Sequence, residues 1–549
     1  MWPRFPTRLW RLISEDLWRL AALTLASLAG IVSFAAGVRP LAEGQIGPAD
    51  ALRFMALALV PMLQFTAPFA AGFAATLVYH RFTTENESLA ASAGGISNRA
   101  ILGPAFGMGL TLAIVVALLA NFVIPTFLRS MQALVSKDVA RVIINSIENG
   151  DSVELNGLAI HADRAIRGKP DPAHGVMDRL FLTGVIAFDS DADGAIQAEV
   201  VAERAEVLLS TERRDGQTVT VVRMRLEGAV GKQQNQGFGQ VGTIPIGPWI
   251  VPNAFEETPR FFSFIELGDL KRHPERHHEV DQLRIRLAGA LTKRRAERLL
   301  VAAISGESRV VFIDSLGQRL AVRAKDIQRD GDRWRLIPLG DQGVEVDLTT
   351  SDGARRSQIA QDAWVFLSAD AVAGPASISL ELKNVGALGA NTPVRQRLVI
   401  DQLHLETDPG ADLYALSAFD LERKANQLIE QARDDPEIVE ISDRLDALEA
   451  RIGRLNREIL GNHNERFALA AACLLMTLAG AIIALRLRDR MPLSVYLWSF
   501  FPALGAVITI SGGENATSQN QTVGLSVLWG GIGLLALYTW VQYLKLNRH

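Results

Sequence analysis

Six long apolar runs limit what this chain can fold into. They occupy residues 20–38, 54–79, 100–128, 467–485, 491–513 and 522–544, three near each end. Each is close to or beyond the roughly 20 helical residues that cross a hydrocarbon layer of about 30 Å. Backbone polar groups in that layer must be satisfied within the segment, so such runs read as helices. The chain is 48% hydrophobic overall, yet residues 129–466 have the composition of a soluble protein. Three membrane helices, a large aqueous region and three more membrane helices are expected.

Lysine and arginine placement sets the expected orientation. Arg4, Arg8, Arg11 and Arg19 precede the first run, and Arg81 and Arg99 flank the loop between the second and third. Arg486, Arg488 and Arg490 crowd the loop between the fourth and fifth, and Lys545 and Arg548 end the chain. The other side carries Arg39 and Arg53 in one loop and no basic residue in 514–521. Both termini are therefore expected in the cytoplasm and the middle region outside it. Residues 1–19, with Trp2, Trp10 and Trp18 among arginines, read as an interfacial helix rather than a cleavable signal.

The loop at residues 80–99 has a pattern of its own. Leu89, Ala93 and Ile96 recur at helical spacing opposite Glu87. Gly94-Gly95 offers a stop, and Ser97 an N-cap for the next helix. A short helix between two membrane crossings is a handle for an aqueous partner; a solvated loop is the alternative. Pro61 and Pro68 lie within the second run, Pro104 opens the third and Pro125 closes it, and Gln64 and Asn121 are expected to face protein.

Residues 153–265 and 309–405 read as two β-rich blocks joined by a helix over 280–303. Val222, Met224 and Leu226 alternate with Arg223, Arg225 and Glu227, as in a half-buried strand. Asp215-Gly216 and Asp330-Gly331 signal hairpins. Ile438, Ile441, Leu445, Leu448, Ile452, Leu455 and Ile459 form a heptad seam just after Pro436. The seam suits a helix packed on its own domain or an intermolecular coiled coil.

Few residues point to catalysis or metal. Asp189-Ser190-Asp191-Ala192-Asp193-Gly194 begins like a calcium loop, but Val200 stands where the chelating glutamate belongs, so a hairpin turn is expected. His273, His277, His278 and Glu279 are interrupted by Pro274 and read as a helix entry. No phosphate-cradling glycine loop occurs, and the lone Cys473 permits no intrachain disulfide. The net charge of −4 gives no reason to expect nucleic acid. The chain reads as a non-enzyme without cofactor or metal.

The arrangement resembles the lipopolysaccharide-export permeases LptF/LptG. The resemblance rests on Pro61, Pro68, Glu87, Ala90, Ala93, Gly95-Ile96-Ser97, Pro104, Asn121 and Pro125, and on Arg466-Phe467-Ala468 before an arginine-rich loop. Ser92 replaces an arginine usual in the family's coupling helix, and the middle region is longer than the usual single β-jellyroll. The resemblance implies an α+β membrane protein of six transmembrane helices, three on each side of a β-jellyroll-like region. The expected parts are helices 1–3 in residues 1–128 with a coupling helix at about 84–97, a β-jellyroll-like domain at 129–275, an inserted helix and second β block at 276–408, a helical heptad segment at 409–465, and helices 4–6 at 466–549.

The family's mechanism would make this chain an inner-membrane permease subunit of an ABC transporter. A second permease of the family would pair with it, and an LptB-like cytoplasmic ATPase dimer would dock on Glu87, Ala90, Gly95, Ile96 and Ser97. Lipopolysaccharide or a related glycolipid would pass to an LptC/LptA-like periplasmic bridge. Arg39 and Arg53 are candidate contacts for lipid phosphates, since guanidinium pairs well with phosphate. A mechanotransmission permease and a membrane-anchored scaffold are the other classes; the first needs no lipid-sized cavity, and the second needs neither Glu87 nor a shaped turn.

Overall fold

Among the described residues six helices are long and apolar enough to cross a membrane, and each apolar run falls wholly or mostly within one of them. The computed structural model describes residues 7–42, 46, 48–136, 144, 146–147, 150, 152–155, 158–169, 176–190, 196–214, 217–233, 236–250, 258–307, 309–313, 318–331, 333–338, 343–349, 355–368, 377–387, 395–406, 412–431, 438–487 and 490–548. It divides into two compact units, Met1–Lys271 with Arg454–His549, and Arg272–Gly453.

The first unit begins with α1 (Thr7–Ala42) and α2 (Pro48–Thr84). The arginine-rich start is continuous with the first run in one helix, and Ile13 and Leu17 are buried in its core. Three short pieces follow: α3 (Glu87–Ala93), α4 (Asn98–Ile101) and α5 (Gly103–Leu118). A π turn at Leu119–Val123 leads into α6 (Ile124–Ser136). Pro125 was expected to close this helix, but the helix runs on past it. A proline lacks the N–H for the carbonyl four residues back and its ring crowds that carbonyl, here that of Asn121. Widening one turn to π geometry relieves the clash without ending the helix. Asn121 is buried in that turn, and its Nδ2 donates to Ala117 O at 2.8 Å. Gln64 is half-buried.

The β part of this unit is an antiparallel sheet of six strands in sequence order: β1 (Val153–Leu155), β2 (Leu158–Arg167), β3 (Val176–Ser190), β4 (Ile196–Arg214), β5 (Gln217–Gln233) and β6 (Gln236–Ile250). Val222, Met224 and Leu226 are buried, and Arg223, Arg225 and Glu227 are exposed, as their alternation requires. β3 and β4 pair as a hairpin; Asp191–Gly194 lies outside the described residues, as does Asp215-Gly216. The block was expected to stay β to residue 265. Instead Pro259–Phe261 is a 3-10 turn, and α7 (Phe264–Arg272) is helical.

The sheet's second face carries exposed apolar side chains. Ile186 stands opposite Val201, and Val201 opposite Val230, making a row across β3, β4 and β5. Phe181 stands opposite Ile166 on the same strand pair's neighbour. All five side chains are at least a third exposed.

The chain returns to the first unit through the later part of α10 (Ile438–Arg486), preceded in the second unit by α8 (His278–Glu307) and α9 (Ala418–Gln431). α11 (Pro492–Gln519) and α12 (Gln521–Leu546) complete it. α2 and α10 pack through small residues. A methyl group on Gly480 would lie 2.5 Å from Gly72 O and 2.7 Å from Thr76 Oγ1. Such close backbone approach is how membrane helices gain contact without a hydrophobic driving force.

In the second unit, eight strands follow α8: β7 (Arg309–Ile313), β8 (Arg319–Arg323), β9 (Asp326–Asp330), β10 (Arg333–Ile337), β11 (Val344–Thr349), β12 (Arg355–Ser368), β13 (Ser377–Ala387) and β14 (Arg395–Leu405). β11 pairs with both β8 and β12, so β8, β7, β14, β13, β12 and β11 close into a ring, with β10 and β9 added outside β12. Phe312, Leu320, Val322, Val346, Leu380 and Leu382 fill its core. The heptad residues Ile438, Ile441, Leu445, Leu448 and Ile452 are buried in this unit. Arg444 donates to Arg286 O at 2.8 Å and Arg451 pairs with Glu279, so this stretch of α10 lies along α8. The seam is thus occupied within the chain. Pro436 lies outside the described residues. The candidate metal residues are spent locally: His273 meets Glu275 at 3.3 Å, His278 meets Gln282 at 3.0 Å, and His277 is buried.

Candidate functional site: the turn between the second and third membrane helices

The turn starts where α2 ends at Thr84. Asn86 takes the left-handed conformation with φ 60, and α3 follows. No residue of α3 is buried. Of the Leu89, Ala93 and Ile96 stripe opposite Glu87, Leu89 and Ala93 are exposed. Ala91 and Ile96 are the residues that pack against the membrane core. The helix is too short to bury the stripe first assigned, and its exit decides which residues face inward.

That exit follows from Gly94-Gly95. Gly95 has φ +78, Gly95 N donates to Ser92 O at 3.0 Å, and Ile96 N donates to Ala91 O at 3.0 Å. Both bonds and the Ile96–Ala91 side of the turn match the glycine-terminated helix end, which satisfies carbonyls that would otherwise lack donors. A Cβ at Gly95 would meet nothing within 4 Å, so glycine is needed there for its backbone, not for space. Ser97 then caps α4, accepting from Ala100 N at 3.3 Å.

The far arm of the turn is clamped. Trp10 Nε1 donates to Ala100 O at 2.7 Å, and the buried Tyr79 hydroxyl donates to Ile101 O at 2.8 Å. Arg99 Nε donates to Tyr543 Oη at 3.0 Å, and Asn98 reaches Asn547 at 3.5 Å. Arg81 pairs with Asp16 at 3.2 Å and Glu85 at 3.4 Å. Glu87 is exposed and makes no ion pair among the described residues. Beside the turn lies a cavity of about 680 Å³ lined by Leu77, His80, Arg81, Thr84, Arg490, Met491 and Pro492. His80 Nε2 sits 2.8 Å from Arg490 O and helps set that wall. Arg488 lies outside the described residues.

At the opposite ends of the membrane helices, Arg39 is exposed in the last turn of α1. Arg53 near the start of α2 is exposed and 3.9 Å from Asp50. Nearby, the segment Thr258–Lys271 crosses α6, α10 and α11. Arg129 donates to Phe261 O at 2.9 Å and pairs with Glu266. The buried Arg466 donates to Phe262 O at 2.8 Å and makes 3.4 Å contacts with Pro259 O and Arg260 O. Arg260 lies between two carboxylates, 2.8 Å from Glu514 and 3.8 Å from Glu465. Burial pushes Glu465 up to about 7, with Glu514 adding repulsion and Arg260 and Arg466 opposing. Sequence reasoning noted Arg466 but not its carbonyl partners, and it missed Trp10, Tyr79, Glu465 and His80. Only Pro104 hinted at the first, because it deprives Ala100 O of a helical donor.

A shaped, exposed turn between two membrane helices, followed by an antiparallel β sheet, can be compared directly with known families. Residues 20–233 match the family model of the lipopolysaccharide export system permease LptF/LptG. The LptF/LptG match spans α1 from residue 20, α2, the turn, α5, α6 and β1–β5. Over those residues the chain is similar to that family, and its six helices long and apolar enough to cross a membrane fit a multi-pass membrane protein. The ring of β7–β14 lies outside the matched residues. No curated protein matches the chain.

Proposed function

We propose that this chain is the permease subunit of an ABC transporter that extracts lipopolysaccharide, or a related glycolipid, from the inner membrane and hands it to a periplasmic bridge. The observation that carries this reading is the exposed α3, ended at Gly95 and followed by α4, whose residues are clamped by α1, α2 and α12. A lever must be free on the face that receives force and fixed on the side that passes it on. Here Glu87, Leu89 and Ala90 are open and the Ala100–Ile101 carbonyls are held.

Glu87 is the contact for a basic residue of a cytoplasmic ATPase dimer, with Ala90, Gly95, Ile96 and Ser97 shaping the seat. The arginine distribution supports this side as cytoplasmic, and the cavity beside Arg490 offers the ATPase a second foothold. A second permease of the family completes the lipid cavity. Arg39 and Arg53, at the other ends of α1 and α2, meet lipid phosphates. The apolar row Ile186–Val201–Val230 gives acyl chains a path across the sheet, because exposed aligned apolar side chains on a polar sheet mark an interaction surface.

Glu87→Ala tests the reading in proteoliposomes containing the full chain, its co-purified ATPase and lipopolysaccharide as the probe lipid. Losing one partner of a desolvated charge pair typically costs about 2–5 kcal/mol. ATPase association or lipid release per ATP should therefore fall at least about tenfold while the chain still inserts. Wild-type hydrolysis and release in the variant would remove Glu87 from the interface. Mass spectrometry of lipid co-purifying with the wild type should show a phosphorylated glycolipid; only bulk phospholipid would count against the substrate.

A further inference from the structure

We infer that Trp10 is a strut that carries displacement of the coupling turn into α1. The inference rests on the permease reading above. In an unbroken helix Ala100 O would accept the N–H of residue 104, but that residue is Pro104 and has none. The missing donor is supplied from 90 residues away by Trp10 Nε1, at 2.7 Å. Gly103 makes room for it: a Cβ there would lie 2.3 Å from the indole ring. A proline that frees an acceptor, a glycine that opens a seat and a tryptophan that fills both form one device.

Its placement suits transmission. α1 runs unbroken from Thr7 to Ala42, so Trp10 and Arg39 are ends of one rod about 44 Å apart at 1.5 Å per residue. Asp16, two turns beyond Trp10, pairs with Arg81 at the base of the turn. The neighbouring carbonyl, Ile101 O, is tied to α2 through Tyr79 instead. Movement of α3 is therefore delivered to α1 through Ala100 and to α2 through Ile101. Had Pro104 been any other residue, its N–H could satisfy Ala100 O within the helix, and α1 would keep its polar link to the turn only at the Asp16–Arg81 pair among the contacts described above.

Two variants separate transmission from mere carbonyl satisfaction. Trp10→Phe keeps an aromatic ring without the donor. Trp10→Phe with Pro104→Ala gives Ala100 O a helical N–H but no hydrogen bond from α1. Both are assayed as full chains with co-purified ATPase and lipopolysaccharide in proteoliposomes, alongside thermal unfolding in detergent. The single variant should hydrolyse ATP yet release about tenfold less lipid per ATP, the change that loss of one half-buried hydrogen bond corresponds to. The double variant should regain wild-type thermal stability and remain uncoupled. Restored release in the double variant, or normal release in the single one, would overturn the strut. Failure of both to fold would also overturn it, since the bond would then be a condition of the fold. Absence of ATP-driven release by the wild type would instead strike at the permease reading on which the strut depends.

Discussion

Replacing Glu465 by glutamine should stabilise the protein at neutral pH and leave it unchanged in acid. Glu465 sits just before the fourth apolar run, with its side chain 6% exposed and its Oε1 lacking a hydrogen-bond partner among the described residues. Its surroundings are Arg260 on the crossing segment, Glu514 on α11 and Arg466 on its own helix. Arg260 lies closer to Glu514 than to Glu465, so the buried carboxylate is under-compensated. Burial therefore dominates and raises the carboxyl from 4.5 to about 7. A displacement of that size makes the ionised form cost about 3 kcal/mol, at about 1.4 kcal/mol per pH unit. Between pH 4.5 and about 7 the folded protein holds a proton that the unfolded chain has released. Stability contributed by this site is thus fully present below 4.5, falls as pH rises through that window, and is gone above about 7. Glu465→Gln abolishes the titration, while Arg260 keeps Glu514. Thermal unfolding in detergent from pH 4.5 to 8 should show the two proteins equal at the acid end. The variant should lead at pH 8 by several degrees, at about 2–4 °C per kcal/mol for a mid-sized domain. Parallel curves would refute the burial argument. A variant less stable at pH 8 would show that the ionised carboxylate gains more from Arg260 than it loses to burial.

Gly95→Ala should fray the end of α3 by about 1–2 kcal/mol, because an L side chain must enter the left-handed region in open space. Faster hydrogen exchange at the Gly95 and Ile96 amides measures it, and unchanged exchange would contradict the assignment. Arg39→Glu should weaken photo-crosslinking to lipopolysaccharide in membranes, and undiminished crosslinking and export would place Arg39 among ordinary interfacial cations. A cysteine at position 330 should react with an impermeant reagent in intact spheroplasts; protection there, with labelling at 488, would invert the orientation expected from the arginines.

Local physics was legible in the sequence. The six apolar runs marked the six helices because a bilayer-length apolar stretch has one viable backbone solution. Gly94-Gly95 and Ser97 marked the exit from α3 because helix ends are set by neighbours within a few residues. Alternation in Val222–Leu226 gave the buried face of β5 for the same reason. What a side chain meets across the fold was not legible. The heptad seam fitted a partner helix in another molecule as well as one in its own, and only α8 lying beside it chose. Spacing put Leu89, Ala93 and Ile96 on one stripe, but of these only Ile96, together with Ala91, packs against the core. Closure of the β11–β12 seam, the carbonyls gathered by Arg466, the burial that shifts Glu465 and the indole over Gly103 all join residues distant in sequence. Periodicity reports which face of an element is apolar, but not which element will cover it; that is settled only when the elements pack, because burial and hydrogen-bond satisfaction depend on the neighbours that packing supplies.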